Sequence, residues 1–117
     1  MELSHITEVN VQRCYRWHNG TIVTKGGNWT LADWSNALAG EVGELCNVIK
    51  KIRRVETNAT NRLDPEMPEL LQMAADEYAD VFFYLDLLAE ALGINRELAL
   101  KSKFDRVSVK QEFPERL

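Results

Sequence analysis

The chain has 117 residues, is 45% hydrophobic and 27% charged, and carries a formal net charge of −4. That length suits a single domain over residues 1–117 with a modest core, of the kind small helical proteins often enlarge by self-association. The acidic balance disfavours a nucleic-acid partner, and no apolar run nears the roughly 20 residues of a membrane span, so no membrane partner is expected. The start, "MELSHITEVNVQ", lacks the basic residues and apolar core of a signal peptide, which predicts a cytoplasmic protein. Cys14 and Cys46 then read as two reduced, packed thiols.

Four helices are predicted in chain order. The first runs from an N-cap at about Ser4 to Trp17, and Gly20 ends it. "NGTIVTKGGNW" is a glycine-bearing irregular loop. The second helix runs from about Thr30 or Asp33 to Arg54, with Leu38, Val42, Leu45, Ile49 and Ile52 alternating four and three apart as an apolar seam. "ETNATNRLDPEMP" is polar, carries two prolines and has no periodicity, so it is a loop. The third helix begins near Pro68 and stops at Gly93; apolar almost all round, it reads as the central buried helix. Asn95 caps a fourth from Arg96 to about Val107. Long helices and short connections predict an all-α, antiparallel four-helix bundle-like domain. The apolar faces of the third helix exceed what one small chain can cover, so a homodimer or homotetramer is expected.

Two acidic pairs interrupt these apolar helices. Counting from Leu38 at about 100° per residue, Glu41 falls near −60° and Glu44 near −120°. Counting from Val81, Glu77 falls near −40° and Asp80 near −100°. If the two helices pack antiparallel, four carboxylates converge on one volume. Crowded carboxylates repel unless they take up protons or a cation joins them. An all-oxygen donor set that also meets phosphate favours Mg²⁺, with Mn²⁺ able to substitute. The bland alternative is a set of solvated acids paired with Lys50, Arg53 and Arg54. Gly40 and Gly43 permit close helix contact or accommodate Trp34.

"WSNALAGEVGELCNVIKKIRR", "DEYADVFFYLDLLAEALGI" and "KSKFD" together resemble the MazG-like, all-α nucleoside triphosphate pyrophosphohydrolases, from about Trp17 to Pro114. The family's Glu-x-x-Glu and later Glu-x-x-Asp correspond to Glu41, Glu44, Glu77 and Asp80. The resemblance implies Mg²⁺-dependent cleavage of a nucleoside triphosphate to monophosphate and pyrophosphate, with those four residues holding metal and Glu41 or Glu44 helping to deprotonate water. Many relatives carry a further glutamate where this chain has Gly40. The branch resembling dCTP pyrophosphatases has tryptophan where this chain has Lys51, and many relatives have asparagine where this one has Asp105.

The remaining candidates are substrate contacts. Lys103 follows a family position that meets phosphate; Lys50 and Lys51, near the acids at the end of the second helix, are candidates of which one would meet phosphate, Lys50 being the one carried forward, although the dipole alone would also favour both. Tyr84 lies one turn beyond Asp80, at a family aromatic position, and Trp29 sits in the loop before the second helix; both are candidates for the nucleoside. Asn47 would orient water or substrate, and His18 would reach a phosphate. Trp34 reads as core. The rivals to an enzyme are a non-catalytic nucleotide or metal sensor and a helical oligomerisation module.

Overall fold

A computed structural model describes residues 1–18 and 28–117. Among the described residues there are four α-helices and no strand: α1 Leu3–Trp17, α2 Leu31–Glu56, α3 Met67–Ala91 and α4 Arg96–Lys110. No described helix is long and apolar enough to cross a membrane. The expected loop's residues 19–27, with Gly20, lie outside the described residues. The chain divides into two compact units, Met1–Asn28 with Ala89–Leu117, and Trp29–Leu88.

The second unit is a helical hairpin of α2 and most of α3. Thr30 starts α2 with a capping box: its hydroxyl accepts the Asp33 N–H at 3.1 Å, and the Asp33 carboxylate accepts the Thr30 N–H at 2.7 Å. This satisfies two backbone donors that the first turn would otherwise leave open. At the far end Asn58 adopts a left-handed φ of 55°, and the Ala59 N–H returns to the Arg54 carbonyl at 2.8 Å. That closes the helix with asparagine in the role usually given to glycine. The loop is then pinned by Asp64, which accepts Arg54 Nε and Nη2, each at 2.8 Å, and the Asn61 N–H at 3.2 Å. Arg54 and its hydrogen bonds hold the Asp64 carboxyl below the ordinary range.

The buried stripe of α2 is not the one expected. Trp34 and Val48 are buried, and Leu38, Glu41, Leu45, Ile52 and Val55 are half-buried, alternating four and three apart. Val42 and Ile49, expected in the seam, are exposed. Leu38, Leu45 and Ile52 stay in the seam, but its centre turns by about 50°, because Trp34 supplies the largest apolar surface and draws its own heptad positions, Glu41 and Val48, inward in place of Val42 and Ile49. The same step puts Glu41 within the stripe. On α3 the stripe is Leu70, Ala74, Glu77, Val81, Tyr84 and Leu88, with Leu70 fully buried. The third helix is therefore not buried all round: Leu71, Tyr78 and Leu85 are exposed along a neighbouring face.

The first unit contains α1, α4 and the end of α3. Helix α1 starts after Glu2 with no side-chain cap, so Ser4 lies inside it and not at the cap. It buries Asn10 and Cys14, and burial pushes the Cys14 thiol up from its ordinary value. Cys46, in the other unit, is exposed instead of packed; neither cysteine forms a disulfide. Gly93, at φ 67°, lets the Ile94 N–H return to the Ala89 carbonyl at 2.9 Å, which ends α3. Asn95 caps α4 through the Leu98 N–H at 3.1 Å. The helix runs on to Lys110, a turn beyond Val107, before Glu112 at φ 58° reverses the chain.

Candidate metal centre

Trp34, Glu41 and Val48 follow one another at seven-residue steps on α2, as do Leu70, Glu77 and Tyr84 on α3. Trp34 meets Tyr84, with ring centroids 6.4 Å apart, and Glu41 meets Glu77. With antiparallel strides of equal length, Val48 falls opposite Leu70 as the third layer. The hairpin interior is thus an aromatic layer, a carboxylate layer and an aliphatic layer. Trp29 extends the aromatic layer, its ring centroid 4.5 Å from that of Trp34.

In the middle layer, carboxylate oxygens of Glu41, Glu77 and Asp80 all lie within 4.8 Å of one another. Glu41 and Glu77 are half-buried and Asp80 is exposed, so the cluster opens on the flank where Asp80 stands. Glu44 lies one turn along from Glu41 on that flank. Burial, first, and then the negative charge of Glu44 push both the Glu41 and the Glu77 carboxyls above the ordinary carboxylate range. Asp80 adds to both, and Asp76 adds to Glu77. Glu77 Oε2 is buried with no hydrogen-bond partner. A buried carboxylate oxygen with no donor, facing other carboxylates, is costly in the absence of a proton or cation.

Other expected site residues distribute unevenly. Asn47 is exposed one turn beyond Glu44, about 60° round the helix. Lys50 is exposed about 120° from Glu44, which turns it away from the acidic flank. Lys51, two turns from Glu44 and within about 20° of it, is the basic residue on that flank. It is half-buried, and its charge helps to lower Asp64. Its signal in the sequence was the seven-residue spacing from Glu44. Tyr84 is half-buried against Trp34, which is core as expected.

His18 and Lys103 belong to the first unit. His18 caps the end of α1, its Nδ1 lying 3.4 Å from Asn28 Nδ2. Lys103 is exposed on α4 beside an apolar groove of about 750 Å³ that Phe104, Val107 and Phe113 help to line. The Asp105 carboxylate is taken up by the Leu117 N–H at 2.9 Å and Lys101 at 3.0 Å, which hold it below its ordinary value.

Among the described residues, Gly40 and Gly43 have no packing reason. A Cβ at either would meet nothing within 4 Å, so neither permits a close helix approach nor makes room for Trp34.

Comparison with protein-family models, with curated proteins and with solved structures finds no match to this chain.

Proposed function

We propose that the chain is a divalent-metal-dependent nucleoside triphosphate pyrophosphohydrolase. It would cleave the α–β anhydride of a (d)NTP, canonical or modified, to the monophosphate and pyrophosphate. The observation that carries this reading is the carboxylate layer itself: three carboxylates within 4.8 Å across two apolar helices, one of them with an unpartnered buried oxygen. Such a donor set, oxygen only and rich in negative charge, fits a hard divalent cation.

Glu41, Glu77 and Asp80, with Glu44 beside them, would hold Mg²⁺ or Mn²⁺. When bound, the ion supplies the positive charge that lets a triphosphate approach an acidic site. The chain's own groups account for the rest of the scheme. Glu41 or Glu44 would accept a proton from the attacking water. Asn47 orients water or phosphate at the open flank. Lys51 replaces Lys50 as the lysine of α2 that meets phosphate. Tyr84 and Trp29, at the edge of the aromatic layer, take the nucleoside. The resemblance to MazG-like proteins supports the same reaction, with a cytoplasmic role in clearing the nucleotide pool.

Pyrophosphate release across a panel of canonical and modified NTPs and dNTPs, with Mg²⁺ and with EDTA, tests the proposal. Metal-dependent release of pyrophosphate with monophosphate is expected, falling at least ~10³-fold in Asp80→Ala, since removing a ligand removes charge stabilisation that acts in the transition state. Orthophosphate release, or an active Asp80→Ala enzyme, would overturn it. Stoichiometric nucleotide binding with no release would make the chain a sensor.

A further inference from the structure

Beyond α4 the chain doubles back on the helix it has just left. The Phe113 N–H reaches the Ser108 carbonyl at 2.9 Å and the Glu112 N–H reaches the Val109 carbonyl at 3.1 Å, with Glu112 at φ 58° between them. Glycine is the usual residue at such a turn, because a side chain in the left-handed region crowds its own backbone. A glutamate there holds strain that the bonds around it must offset. From Phe113 the segment retraces α4, and its far end is latched. The Asp105 carboxylate accepts the Leu117 N–H at 2.9 Å and Lys101 Nζ at 3.0 Å, and Lys101 Nζ also donates to the Leu117 carbonyl.

Between hinge and latch lies the groove of about 750 Å³. Leu100, Phe104 and Val107, at four- and three-residue steps on α4, form one wall; Phe113, Glu115 and Leu117 form the other. Residues 111–117 are all exposed, Phe113 at 57% and Leu117 at 61%. Hydrogen bonds, and not burial of apolar surface, therefore hold the segment, as in elements that open separately from a folded core. It is also stiff. Pro114 fixes its own φ just past the hinge, and Arg116 Nη1 donates to the Phe113 and Glu115 carbonyls at 2.8 and 2.7 Å. Those last bonds lie inside the segment, so they make it one piece without fastening it to α4.

We propose that residues 113–117 form a hinged strap, which closes when Asp105 takes the Leu117 N–H and opens in one piece about Glu112 while α4 stays folded. Opening carries Phe113, Glu115 and Leu117 away from Leu100, Phe104 and Val107, so the strap sets the width of the groove beside Lys103. The hinge favours opening, since release lets Glu112 return to a negative φ; the latch opposes it. Exposed hydrogen bonds and ion pairs bring a small net gain, because water replaces them, so the two tendencies are closely matched.

Amide exchange with water, followed residue by residue by NMR on the full chain at about pH 7, tests the proposal. In the wild type, the Phe113 and Leu117 N–H groups should exchange more slowly than free-peptide amides. Asp105→Ala should speed both together, by about tenfold, the change expected for one charge-assisted hydrogen bond. The Gln111 N–H, bonded to the Val107 carbonyl ahead of the hinge, should keep its wild-type rate. Lys101→Met removes the other half of the latch and should act in the same direction; it serves if Asp105→Ala loses its helical circular dichroism. Acceleration of Leu117 alone would mean a frayed end in place of a strap, and acceleration of Gln111 with the pair would mean that α4 itself unwinds. Rates that neither variant changes, or a wild-type Leu117 already at the free-peptide rate, would mean no latch. Each of these results overturns the proposal, and none depends on whether the chain cleaves nucleotides.

Discussion

Glu77→Gln should stabilise the metal-free protein. Two carboxylates, Glu41 and Asp80, have oxygens within 4.8 Å of Glu77, and each pair repels by about 0.9 kcal/mol in water's dielectric or about 3.5 kcal/mol at an effective dielectric of 20. Asp80 is exposed, so solvent screens the cluster and the lower figure applies, about 2 kcal/mol for both pairs. A gain of that size corresponds to a melting temperature higher by about 8 °C in a chain of this length. The pH dependence has a definite sign. Glu41 and Glu77 are raised in the folded state, so the stability they contribute is present below the ordinary carboxylate range and is lost as pH rises through their raised values. In EDTA, the wild type should therefore lose more stability between about pH 4.5 and 7.5 than Glu77→Gln does. Thermal melts by circular dichroism at both pH values, with EDTA and with Mg²⁺, measure all of this. Mg²⁺ should raise the wild-type melting temperature and leave the variant nearly unmoved. A variant that melts at or below the wild type at neutral pH, or that responds equally to Mg²⁺, would refute the electrostatic account of the layer.

Gly43→Ala should raise stability by about 1 kcal/mol, the helix-propensity difference, because its Cβ enters open space; chemical denaturation would detect it, and a loss would mean the residue meets something in solution. Thr30→Ala should cost about 1 kcal/mol by removing the α2 cap, seen in the same experiment. Arg54→Met should lower the melting temperature at neutral pH and flatten its fall in acid. Asp64 is lowered in the folded state, so its contribution is present above the ordinary carboxylate range and is lost as pH drops through its lowered value. Equal acid sensitivity in the two proteins would count against the Arg54–Asp64 clasp.

Helix number, the Thr30 and Asn95 caps and the polar loop could be read from local signals, which act within a turn or two of chain. The acidic pairs were legible for the same reason, since i,i+3 spacing fixes a shared flank. The rotation of the α2 seam was not. Leu38, Val42, Leu45, Ile49 and Ile52 form as good a period as the stripe that is buried, and only the partner helix decides between them. Trp34 decides it by meeting Tyr84, and the choice carries Glu41 inward and Val42 outward. Lys50 and Lys51 were indistinguishable in sequence for a related reason: 100° of helix rotation is visible only once the flank that matters is known. Cys46 looked like a packed thiol because free cysteine usually is one, and its exposure follows from the same turn of the helix.

The three layers of the hairpin also divide mechanical roles. The central layer pushes the two helices apart, while the Trp34–Tyr84 contact holds them together on one side and the Arg54–Asp64 clasp ties the connecting loop back to α2 on the other. Glu41 and Glu77 are thus set like a loaded spring between two fasteners. The distance between them is fixed by groups a turn or more away, not by attraction within the cluster. Loosening either fastener would widen the acidic opening well before the hairpin unfolds. Changes far from any carboxylate, at the α2–α3 loop or in the aromatic layer, therefore have a direct route to the spacing of the oxygens.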